Sequence, residues 1–414
     1  MGPQERALKA GYNYGETTET FNYRFEVKPA KLPAGTSRNV TGNEATAIGI
    51  LAACELAKLP GFLGSYPITP ASEILHELSS HKNFNFRTFQ AEDEIAGICS
   101  AIGAAFGGSL AFTNTSGPGM ALKQEAIGLA IMIELPLVIV NVQRGGPSTG
   151  LPTKPEQSDL FQAILGRNGE SPLPVIAASS PANCFWMAIE AARIALKHMT
   201  PVVLLTDGYL GNGSEPWLLP KPESLPDISI PFATDPETYK PYSRNEHLAR
   251  PWAVPGTPGL EHRIGGLEKK HIDGTVNYEP GNHQFMTDMR AAKVKKVQDS
   301  IPEQDIFGSE DADFAIVGWG GTYGAIRAAT ERLLVAGKKV AHVHIKYLNP
   351  FPKNLEQVLR RYKKLLIPEN NLGQLAFLLR ANYMIDSETL AKVQGLPFVP
   401  SEIEVAALKS LESM

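Results

Sequence analysis

Apolar and polar residues alternate in a regular series of helical and extended stretches between residues 42 and 206. Apolar residues at every third or fourth position predict helices, and short apolar runs between them predict strands. The predicted helices are 43–58, 71–79, 92–107, 120–133, 155–166 and 181–197, and the predicted strands are 62–66, 85–90, 109–114, 137–142, 174–178 and 201–206. This alternation is typical of an α/β fold with a doubly wound parallel sheet that helices cover on both faces.

A smaller alternating series follows an irregular stretch rich in Pro, Gly, His and Tyr. The smaller series predicts helices 288–300, 322–336, 354–362, 373–382 and 402–412 and strands 313–318, 339–345 and 364–367. Such a long irregular stretch favours a functional or partner-bound segment, although mere connection stays possible. We therefore expect an N-terminal arm or linker without helical period, 1–41, a first α/β domain, 42–214, an insert, 215–287, and a second α/β domain, 288–414.

Composition and charge exclude several classes of function. The chain has 414 residues and a net charge of −4, which argues against nucleic-acid binding and against a polybasic membrane contact. Its longest apolar stretch, 127–142, is broken by Glu134 and Pro136, so it predicts a helix and a strand and no membrane segment. The first residues lack a secretory signal, so we expect a cytoplasmic protein. The three cysteines form no CxxC pair, so an iron–sulfur cluster would have to lie on a partner.

The sequence QAEDEIAG at 90–97 places an acid at the start of a buried helix face. At about 100° per residue, one apolar stripe contains Ile95, Ile98, Ala101, Ile102, Ala105 and Phe106. Of the three acids in this sequence, only Glu94 falls on the stripe. A buried carboxyl needs a partner, which makes Glu94 a candidate for proton chemistry. Acids also favour the first turn of a helix for its dipole alone, so this window does not decide between the two roles.

Three loops at the carboxyl ends of predicted strands carry unusual residues, and ligands of parallel sheets bind at that edge. YPITP at 66–70 offers Thr69 as a helix cap beside an anion-binding N-terminus. TSGPG at 115–119 brings backbone close to a ligand, and RGGPSTGLPT at 144–153 begins with Arg144, a candidate carboxylate clamp. Each loop alone is compatible with an ordinary turn, and Arg144 alone with a solvated side chain. Their occurrence at successive strand ends, together with Glu94, favours a binding site.

The turn GWGGTYG at 318–324 lies between a predicted strand and a predicted helix. A dinucleotide site would need an acid about 20 residues further on, and LVAGKKV at 334–340 contains none. A tight turn explains the glycines better. A nucleotide-dependent dehydrogenase remains a minor alternative, which nicotinamide-cofactor binding would reveal.

The order of motifs along residues 42 to about 412 resembles the alpha subunit of 2-oxoacid:ferredoxin oxidoreductases. Besides YPITP, QAEDEIAG, TSGPG and RGGPSTGLPT, the resemblance rests on GNEA (42–45), LNPFP (348–352) and PEN…GQL (368–375). The segment 259–283, GLEHRIGG…GNH, is most similar to the 2-oxoglutarate members, the 2-oxoglutarate synthases. The resemblance implies a thiamine-diphosphate-binding domain of the pyrimidine type, followed by a smaller α/β domain like the C-terminal domain of transketolase.

The activity that the resemblance implies is an oxidoreductase reaction. The enzyme would oxidatively decarboxylate 2-oxoglutarate with coenzyme A and ferredoxin, or carboxylate succinyl-CoA in the reverse direction, and would be active only with a beta subunit. One alternative keeps this chemistry and changes the substrate to pyruvate or to branched or broad 2-oxoacids. An alternative of another class is a non-catalytic scaffold subunit that docks a redox partner.

The resemblance also implies that thiamine diphosphate is shared between subunits. This chain would hold the aminopyrimidine, and the beta subunit would hold the diphosphate, Mg²⁺ and a [4Fe-4S] cluster, so no metal ligand is expected here. The chain indeed has no GDG triplet of the kind that heads the diphosphate motif. We expect a heterotetramer of two alpha and two beta subunits, ferredoxin as a partner, and a possible gamma domain or subunit, because residues 1–40 resemble the end of a fusion linker.

Site residues follow from the resemblance position by position. Glu94 matches the glutamate that hydrogen-bonds the pyrimidine ring, Thr69 matches a threonine that contacts substrate, and Arg144 matches the arginine that faces the oxo-acid end. The cofactor cavity would also be lined by Tyr66, Pro67, Ile68, Ser116 and Gly117. A distal carboxylate needs a further cation, and the candidates are Lys154, Arg263 and a residue of the beta subunit.

Overall fold

The computed structural model describes residues 2–18, 25–30 and 32–414, which fall into two units, 1–37 and 38–414. The first unit contains helix α1 (Pro3–Thr17), although the sequence predicted no helix there. None of its residues is buried, so no apolar stripe reveals it; Pro3 at its first position and the Glu5–Lys9 ion pair, 3.7 Å long and one turn apart, favour it. Whether residues 1–41 serve as an arm or linker stays a prediction, and residues 1, 19–24 and 31 lie outside the described residues.

The remaining helices of the described chain are α2 (Gly42–Ala57), α3 (Ser72–Ser80), α4 (Glu94–Phe106), α5 (Gly117–Leu122), α6 (Gln124–Ile133), α7 (Leu160–Leu165), α8 (Pro181–His198), α9 (Gly208–Asn212), α10 (Pro280–Lys296), α11 (Tyr323–Val335), α12 (Leu355–Leu359), α13 (Gln374–Tyr383) and α14 (Pro400–Glu412). The strands are β1 (Ser37–Thr41), β2 (Gly61–Ser65), β3 (Phe86–Gln90), β4 (Leu110–Thr115), β5 (Leu137–Gln143), β6 (Val175–Ala177), β7 (Pro201–Asp207), β8 (Ser214–Leu218), β9 (Phe307–Gly308), β10 (Phe314–Trp319), β11 (Ala341–Ile345), β12 (Tyr347–Asn349), β13 (Lys364–Glu369) and β14 (Glu388–Ala391). Short 3₁₀ turns occur at Pro222–Ser224, Val297–Asp299 and Gly320–Thr322.

A seven-stranded sheet in the order β12-β6-β7-β5-β4-β2-β3 forms the larger part of the fold. All its neighbouring strands are parallel except β12, which pairs antiparallel with β6 at one edge. Every residue of β4, β5 and β7 is buried, so both faces of the sheet are covered. This confirms the predicted doubly wound parallel sheet. The edge strand β12, which contains the start of the LNPFP motif, was not predicted.

A five-stranded sheet in the order β14-β13-β10-β11-β9 forms the smaller part. Its strands are parallel except β9, which runs antiparallel to β11. Helices α11 and α14 pack on it through a second apolar cluster that includes Phe314, Ile326 and Ile403. Strands β1 and β8 form a separate two-stranded sheet. Within the described ranges, no helix combines the length and apolar character that a membrane span needs.

Three predicted helices differ in extent from the observed ones. The helix predicted at 155–166 forms only over α7, because Gln157 and Ser158 bond to distant residues of the second α/β part and the N–H of Asp159 bonds to Gln143 of the first sheet. The helix predicted at 120–133 is divided into α5 and α6 at Lys123. The helix predicted at 288–300 begins at Pro280 as α10, inside the predicted insert.

The insert is largely irregular but is fixed to the first sheet by buried hydrogen bonds. Trp252, which is 2% exposed, donates from Nε1 to the carbonyl of Ala105 at 3.1 Å. Arg250 donates from Nη1 to the carbonyl of Ile133, also at 3.1 Å. Both acceptors lie at the ends of helices that precede a strand, so the insert covers the amino-end edge of the seven-stranded sheet. The carboxyl-end edge is thereby left to the loops that carry the predicted site.

Candidate functional site

Arg144 follows β5 at the carboxyl-end edge and joins two of the loops that the sequence singled out. It is 6% exposed. Its Nη1 donates to the carbonyl of Thr69 at 2.6 Å, and its Nη2 donates to the carbonyl of Thr149 at 3.1 Å. Its Nε is buried and has no hydrogen-bond partner among the residues that the structure describes. The guanidinium therefore fixes both loops and keeps one donor that none of these residues satisfies.

Glu94 begins α4, directly after the N-cap Asp93, whose Oδ1 accepts the backbone N–H of Ala96 at 2.7 Å. As the helical pattern predicts, Glu94 is the buried acid of the three, at 7% exposed. Ile95, which the pattern placed on the same stripe, is instead 47% exposed. A methyl group on Gly119 would lie 2.0 Å from Thr115 Oγ1 and 3.0 Å from Glu94 Oε1, so glycine is required for α5 to approach the acid.

Lys123 lies beneath Glu94, and the sequence reasoning missed it. This lysine is fully buried, and its Nζ donates to the backbone carbonyl of Glu94 at 2.8 Å. Burial lowers the pKa of Lys123 to about 8, against the attraction of the Glu94 and Asp93 charges. The signal in the sequence was a single lysine inside the apolar stretch 120–133, which is more usual on an exposed helix face. The cation becomes buried because the helix breaks at this residue.

A cavity of about 810 Å³ opens beside Arg144 between the first sheet and the second. Its charged lining consists of Arg144, Glu156 and Asp159. Its apolar lining includes Pro118 and Leu122 on one side and Leu372 and Val393 on the other. The volume lies in the range of small-molecule sites, and the mixed lining suits a ligand with an acidic end and an apolar stem.

Glu156 and Asp159 are the second acidic feature that the sequence reasoning missed. Asp159 is 8% exposed, and its Oδ2 accepts a hydrogen bond from Asn141 Nδ2 at 2.9 Å. Burial raises the pKa of Asp159 to about 6, and burial also raises the pKa of Glu156. In the sequence these acids looked like ordinary first-turn residues of a helix at 155–166. Only the long-range fold shows that they line a cavity.

The other predicted residues are placed as follows. Tyr66 is 36% exposed, Thr69 is also exposed, and Pro67 and Ile68 are half-buried, all directly after β2. Ser116 is fully buried, and a methyl group on Gly117 would lie 3.0 Å from Asp159 Oδ2. The structure thus brings the loops after β2, β4 and β5 to one edge, together with Glu94.

The two candidate cations for a distal carboxylate lie elsewhere. Lys154 is exposed at the foot of the 144–153 loop beside Gly395, outside the cavity lining. Arg263 is exposed, and its neighbour His262 contacts the ring of Phe106 at a centroid distance of 6.0 Å. Phe106 ends α4 and Glu94 begins it, and a helix of 13 residues is about 20 Å long. Within this chain, the structure does not bring Arg263 to Glu94 or Arg144.

Buried polar atoms without partners collect at the same edge of the sheet. They come from the ends of β2, β4, β5 and β7 and from the residues that follow: Ser65 Oγ, Asn114 Oδ1, Ser116 Oγ, Asn141 Oδ1, Arg144 Nε and Thr206 Oγ1. Buried polar groups are normally hydrogen-bonded, so these atoms mark a place where a ligand supplies the missing partners. A polar aromatic ring beside the Glu94 carboxyl and the Ser116 hydroxyl fits this donor and acceptor set. Among the described residues, no cluster of His, Cys, Asp and Glu has the geometry to hold a metal ion.

Two protein families match the chain in succession. Residues 55–276 match the family described as pyruvate flavodoxin/ferredoxin oxidoreductase, thiamine diphosphate-binding. Residues 312–398 match pyruvate:ferredoxin oxidoreductase core domain II. The first match covers the seven-stranded sheet except for β12, and the insert as far as residue 276. The second match covers β12 and the strands of the five-stranded sheet except for β9.

Curated relatives agree with these families. The chain is 57% identical over 399 residues to 2-oxoglutarate oxidoreductase subunit KorA of Mycobacterium tuberculosis, which covers 96% of this chain and 61% of the relative. It is 32% identical over 378 residues to 2-oxoglutarate synthase subunit KorA of Methanothermobacter marburgensis, covering 88% of this chain and 96% of the relative. The chain thus spans less than two thirds of the length of the Mycobacterium relative and nearly the whole of the Methanothermobacter one.

Solved structures show the same fold. A 2-oxoglutarate:ferredoxin oxidoreductase from Magnetococcus marinus, with 2-oxoglutarate, coenzyme A and succinyl-CoA bound, superposes with a TM-score of 0.90 at 36% identity, over 98% of this chain and 70% of that one. A split-gene transketolase shares the fold alone, at 13% identity and a TM-score of 0.50. With the family matches, the identities and the thiamine-diphosphate-type α/β fold in agreement, the chain belongs to the alpha-subunit family of 2-oxoacid:ferredoxin oxidoreductases.

Proposed function

We propose that this chain is the alpha subunit of a thiamine-diphosphate-dependent oxidoreductase that decarboxylates 2-oxoglutarate with coenzyme A and ferredoxin, and that catalyses the reverse carboxylation of succinyl-CoA with the same residues. The observation that carries the proposal is the convergence of Glu94 and Arg144, among buried polar atoms without partners, at the carboxyl-end edge of the sheet. The substrate is supported by the 57% identity to a relative named for 2-oxoglutarate and by the ligands of the Magnetococcus structure.

Glu94 and Ser116 would hold the pyrimidine ring of the cofactor. When bound, thiamine diphosphate would supply a carbon nucleophile for the oxo carbon of the substrate and a cationic ring that accepts the electron pair released by decarboxylation. The role of Glu94 is to exchange a proton with a ring nitrogen, and its burial keeps water from competing for that hydrogen bond. Gly119 lets the backbone of α5 lie against the carboxyl, and the carbonyl of Glu94 is fixed from below by Lys123. Tyr66, Pro67, Ile68 and Gly117 would form the surrounding wall.

Arg144 would orient the oxo-acid end of the substrate. Its Nη1 and Nη2 already hold the loops at Thr69 and Thr149, so the unsatisfied Nε is the donor that faces a ligand. Because the guanidinium is buried, its attraction for a carboxylate is stronger than it would be in water. The Thr69 side chain is exposed beside it and would contact the substrate as well. The distal carboxylate would be bound by Lys154 or by a residue of the beta subunit, since Arg263 lies near the opposite end of α4 from Glu94.

The rest of the enzyme would come from partners. A beta subunit would supply Mg²⁺, the diphosphate contacts and a [4Fe-4S] cluster, and ferredoxin would accept the electrons. The proposed assembly is a cytoplasmic heterotetramer of two alpha and two beta subunits, with a gamma domain or subunit as a possible addition. The proposed division of this chain remains an arm, 1–41, a pyrimidine-binding domain, 42–214, an insert, 215–287, and a C-terminal domain, 288–414.

The proposal is tested by co-expressing the chain with a candidate beta subunit and measuring reduction of ferredoxin or a viologen. We expect turnover with 2-oxoglutarate that requires coenzyme A and exceeds turnover with pyruvate or branched 2-oxoacids. Turnover with pyruvate alone would keep the chemistry and overturn the substrate. An assembled complex with bound thiamine diphosphate that turned over no 2-oxoacid would overturn the proposal in favour of a scaffold role.

A further inference from the structure

The PEN…GQL motif at 368–375 overlaps the end of a strand of the second sheet and contributes Asn371, Leu372 and Gln374 to the cavity lining, but it has no role in the site described so far. In the structure this motif bonds to residues 157–161, the segment that follows Glu156, contains Asp159 and enters helix α7. The contact joins positions more than 200 residues apart in the sequence. Most of its hydrogen bonds involve the side-chain amides of Gln157, Asn371 and Gln374. Each of these amides donates through its nitrogen and accepts through its oxygen.

Gln157 is bound from both ends of its amide. Its Nε2 donates to the carbonyl of Trp319 at 2.7 Å, and its Oε1 accepts the backbone N–H of Asn370 at 3.0 Å. Its own backbone N–H donates to the carbonyl of Asn370 at 3.0 Å, and its carbonyl accepts from Asn371 Nδ2 at 2.8 Å. Gln157 is 1% exposed, so these bonds are not exchanged with water.

Gln374 binds the other end of the segment in the same way. Its Nε2 donates to the carbonyl of Ser158 at 2.8 Å, and its Oε1 accepts the backbone N–H of Phe161 at 3.0 Å. The rings of Phe161 and Phe377 meet edge to face, with centroids 5.2 Å apart. The N–H of Gln157, the carbonyls of Gln157 and Ser158 and the N–H of Phe161 therefore find their partners on residues 370–374, directly after a strand of the second sheet. The N–H of Asp159, between them, donates to Gln143 Oε1 of the first sheet at 3.1 Å.

The motif itself is rigid. The Glu369 carboxylate is fully buried and accepts from Trp319 Nε1 and from Asn371 Nδ2, each at 3.0 Å, and from the backbone N–H of Leu375 at 2.9 Å. Asn371 Oδ1 in turn accepts the backbone N–H of Gln374 at 2.9 Å. These bonds fix Asn371 and the backbone of Gln374 before any contact with segment 157–161. The two residues can therefore determine where that segment lies.

We propose that Gln157, Asn371 and Gln374 are positioning residues, through which the second sheet holds the segment that follows Glu156 and flanks Asp159 in place beside Arg144, and so sets the affinity of the cavity for an acidic substrate. This inference rests on the proposed function. Glu156 and Asp159 are the carboxyls of the cavity lining, and Arg144 is its cation. Because Glu156 and Asp159 directly flank Gln157 and Ser158, any shift of the segment changes the balance between attraction by Arg144 and repulsion by the two acids.

The test compares Gln374→Ala with Asn354→Ala in the full chain assembled with its beta subunit. Asn354 is a matched control, because its side-chain amide also makes two hydrogen bonds to backbone but lies away from the cavity. The amide donates to the carbonyl of Gln304 at 3.0 Å and accepts the backbone N–H of Gln304 at 2.7 Å. We expect Gln374→Ala alone to speed amide hydrogen exchange in residues 157–163. It should also raise KM for the 2-oxoacid about tenfold, equivalent to one hydrogen bond of typical strength, with kcat changed less than twofold.

Equal exchange in the two variants, or faster exchange with an unchanged KM, would overturn the proposal. If Gln374→Ala does not fold, Gln374→Met serves instead, since it keeps the volume of the side chain and removes both amide bonds, to Ser158 and to Phe161. The exchange comparison needs no substrate. A wild-type complex without 2-oxoacid turnover would therefore refute the proposed function, while the exchange data would still decide whether the second sheet holds the segment.

Discussion

The two edges of the seven-stranded sheet bury charged side chains in opposite ways. At the amino-end edge, the Glu134 carboxylate pairs with both Arg244 and Lys293, and all three side chains are 4% exposed or less. Although burial alone would favour the neutral acid, Lys293 and Arg244 hold the pKa of Glu134 below its usual value. This cluster ties α6, the insert and α10 together, and each charge in it has an opposite charge within contact.

At the carboxyl-end edge, the buried charged side chains lack such contacts with opposite charges. The terminal nitrogens of Arg144 donate to carbonyl groups, its Nε has no partner among the described residues, and Lys123 donates to one carbonyl. Asp159 accepts a hydrogen bond from Asn141 and forms no ion pair with Arg144 or any other described residue. Equal burial thus serves stability at one edge and pre-organises a ligand site at the other. Substitutions at the two edges should separate these roles.

The largest expected effect is on catalysis, at the edge with unsatisfied groups. Glu94→Gln should fold normally, because the amide has the same shape, and should lose about 10²- to 10⁴-fold in turnover, because it cannot exchange a proton. The measurements are kcat of the reconstituted complex and the melting temperature of the chain. The matched control is Glu92→Gln, an exposed acid two positions earlier that should keep full activity. Equal losses in both variants would remove Glu94 from the proposed role.

The next effect is on stability, at the satisfied edge. Glu134→Gln leaves Arg244 and Lys293 buried without an opposite charge, which should lower the free energy of unfolding by about 3–5 kcal/mol. Urea denaturation measures the loss. Glu331→Gln is the control, because it breaks an exposed pair with Arg327, 2.7 Å long, whose removal should cost less than about 1 kcal/mol. Similar losses in the two variants would mean that the buried cluster adds nothing beyond surface ion pairing.

The sequence predicted the carboxyl-end edge better than the amino-end edge. The reason is that local sequence patterns indicate the first, whereas the second depends on contacts between residues far apart in the sequence. Glu94 was found from the helical period, and Arg144 from its position after a predicted strand, which are both local patterns. Glu134 was seen only as an interruption of an apolar stretch, because its partners lie 110 and 159 positions away. The helix predicted at 155–166 failed for the same reason. Local preference favours a helix there, and Asn371 and Gln374 override it from a distant part of the chain.

The resemblance of motifs identified the family and the parallel sheet, but it did not reveal Lys123, Glu156 or Asp159. Each of these is an ordinary charged residue in the sequence and becomes unusual only through burial. Helix α1 was not predicted because it has no buried face and hence no apolar stripe.

The smallest expected effect concerns Asp159 and depends on pH. Burial raises its pKa from 3.8 to about 6, so between these values the folded chain binds a proton that the unfolded chain has released. Its contribution to stability is therefore complete below about pH 4 and is lost as the pH rises through about 6. Over that pH window the free energy of unfolding of the wild type should fall by about 2–3 kcal/mol relative to that of Asp159→Asn. The amide of the variant does not titrate and can still accept the hydrogen bond from Asn141.

Urea denaturation of the wild type and of Asp159→Asn at pH 4 and pH 7 measures this difference. If the difference in free energy of unfolding between the two chains is the same at both values of pH, burial does not raise the pKa of Asp159. A gap that moves in favour of Asp159→Asn at pH 7 would show that the site edge keeps a buried carboxylate at a cost in stability, as Glu134 at the opposite edge does not. The free-energy difference would then measure how much stability the protein loses by keeping an ionised Asp159 in the cavity beside Arg144, where a ligand can bind, without an opposite charge in contact with it.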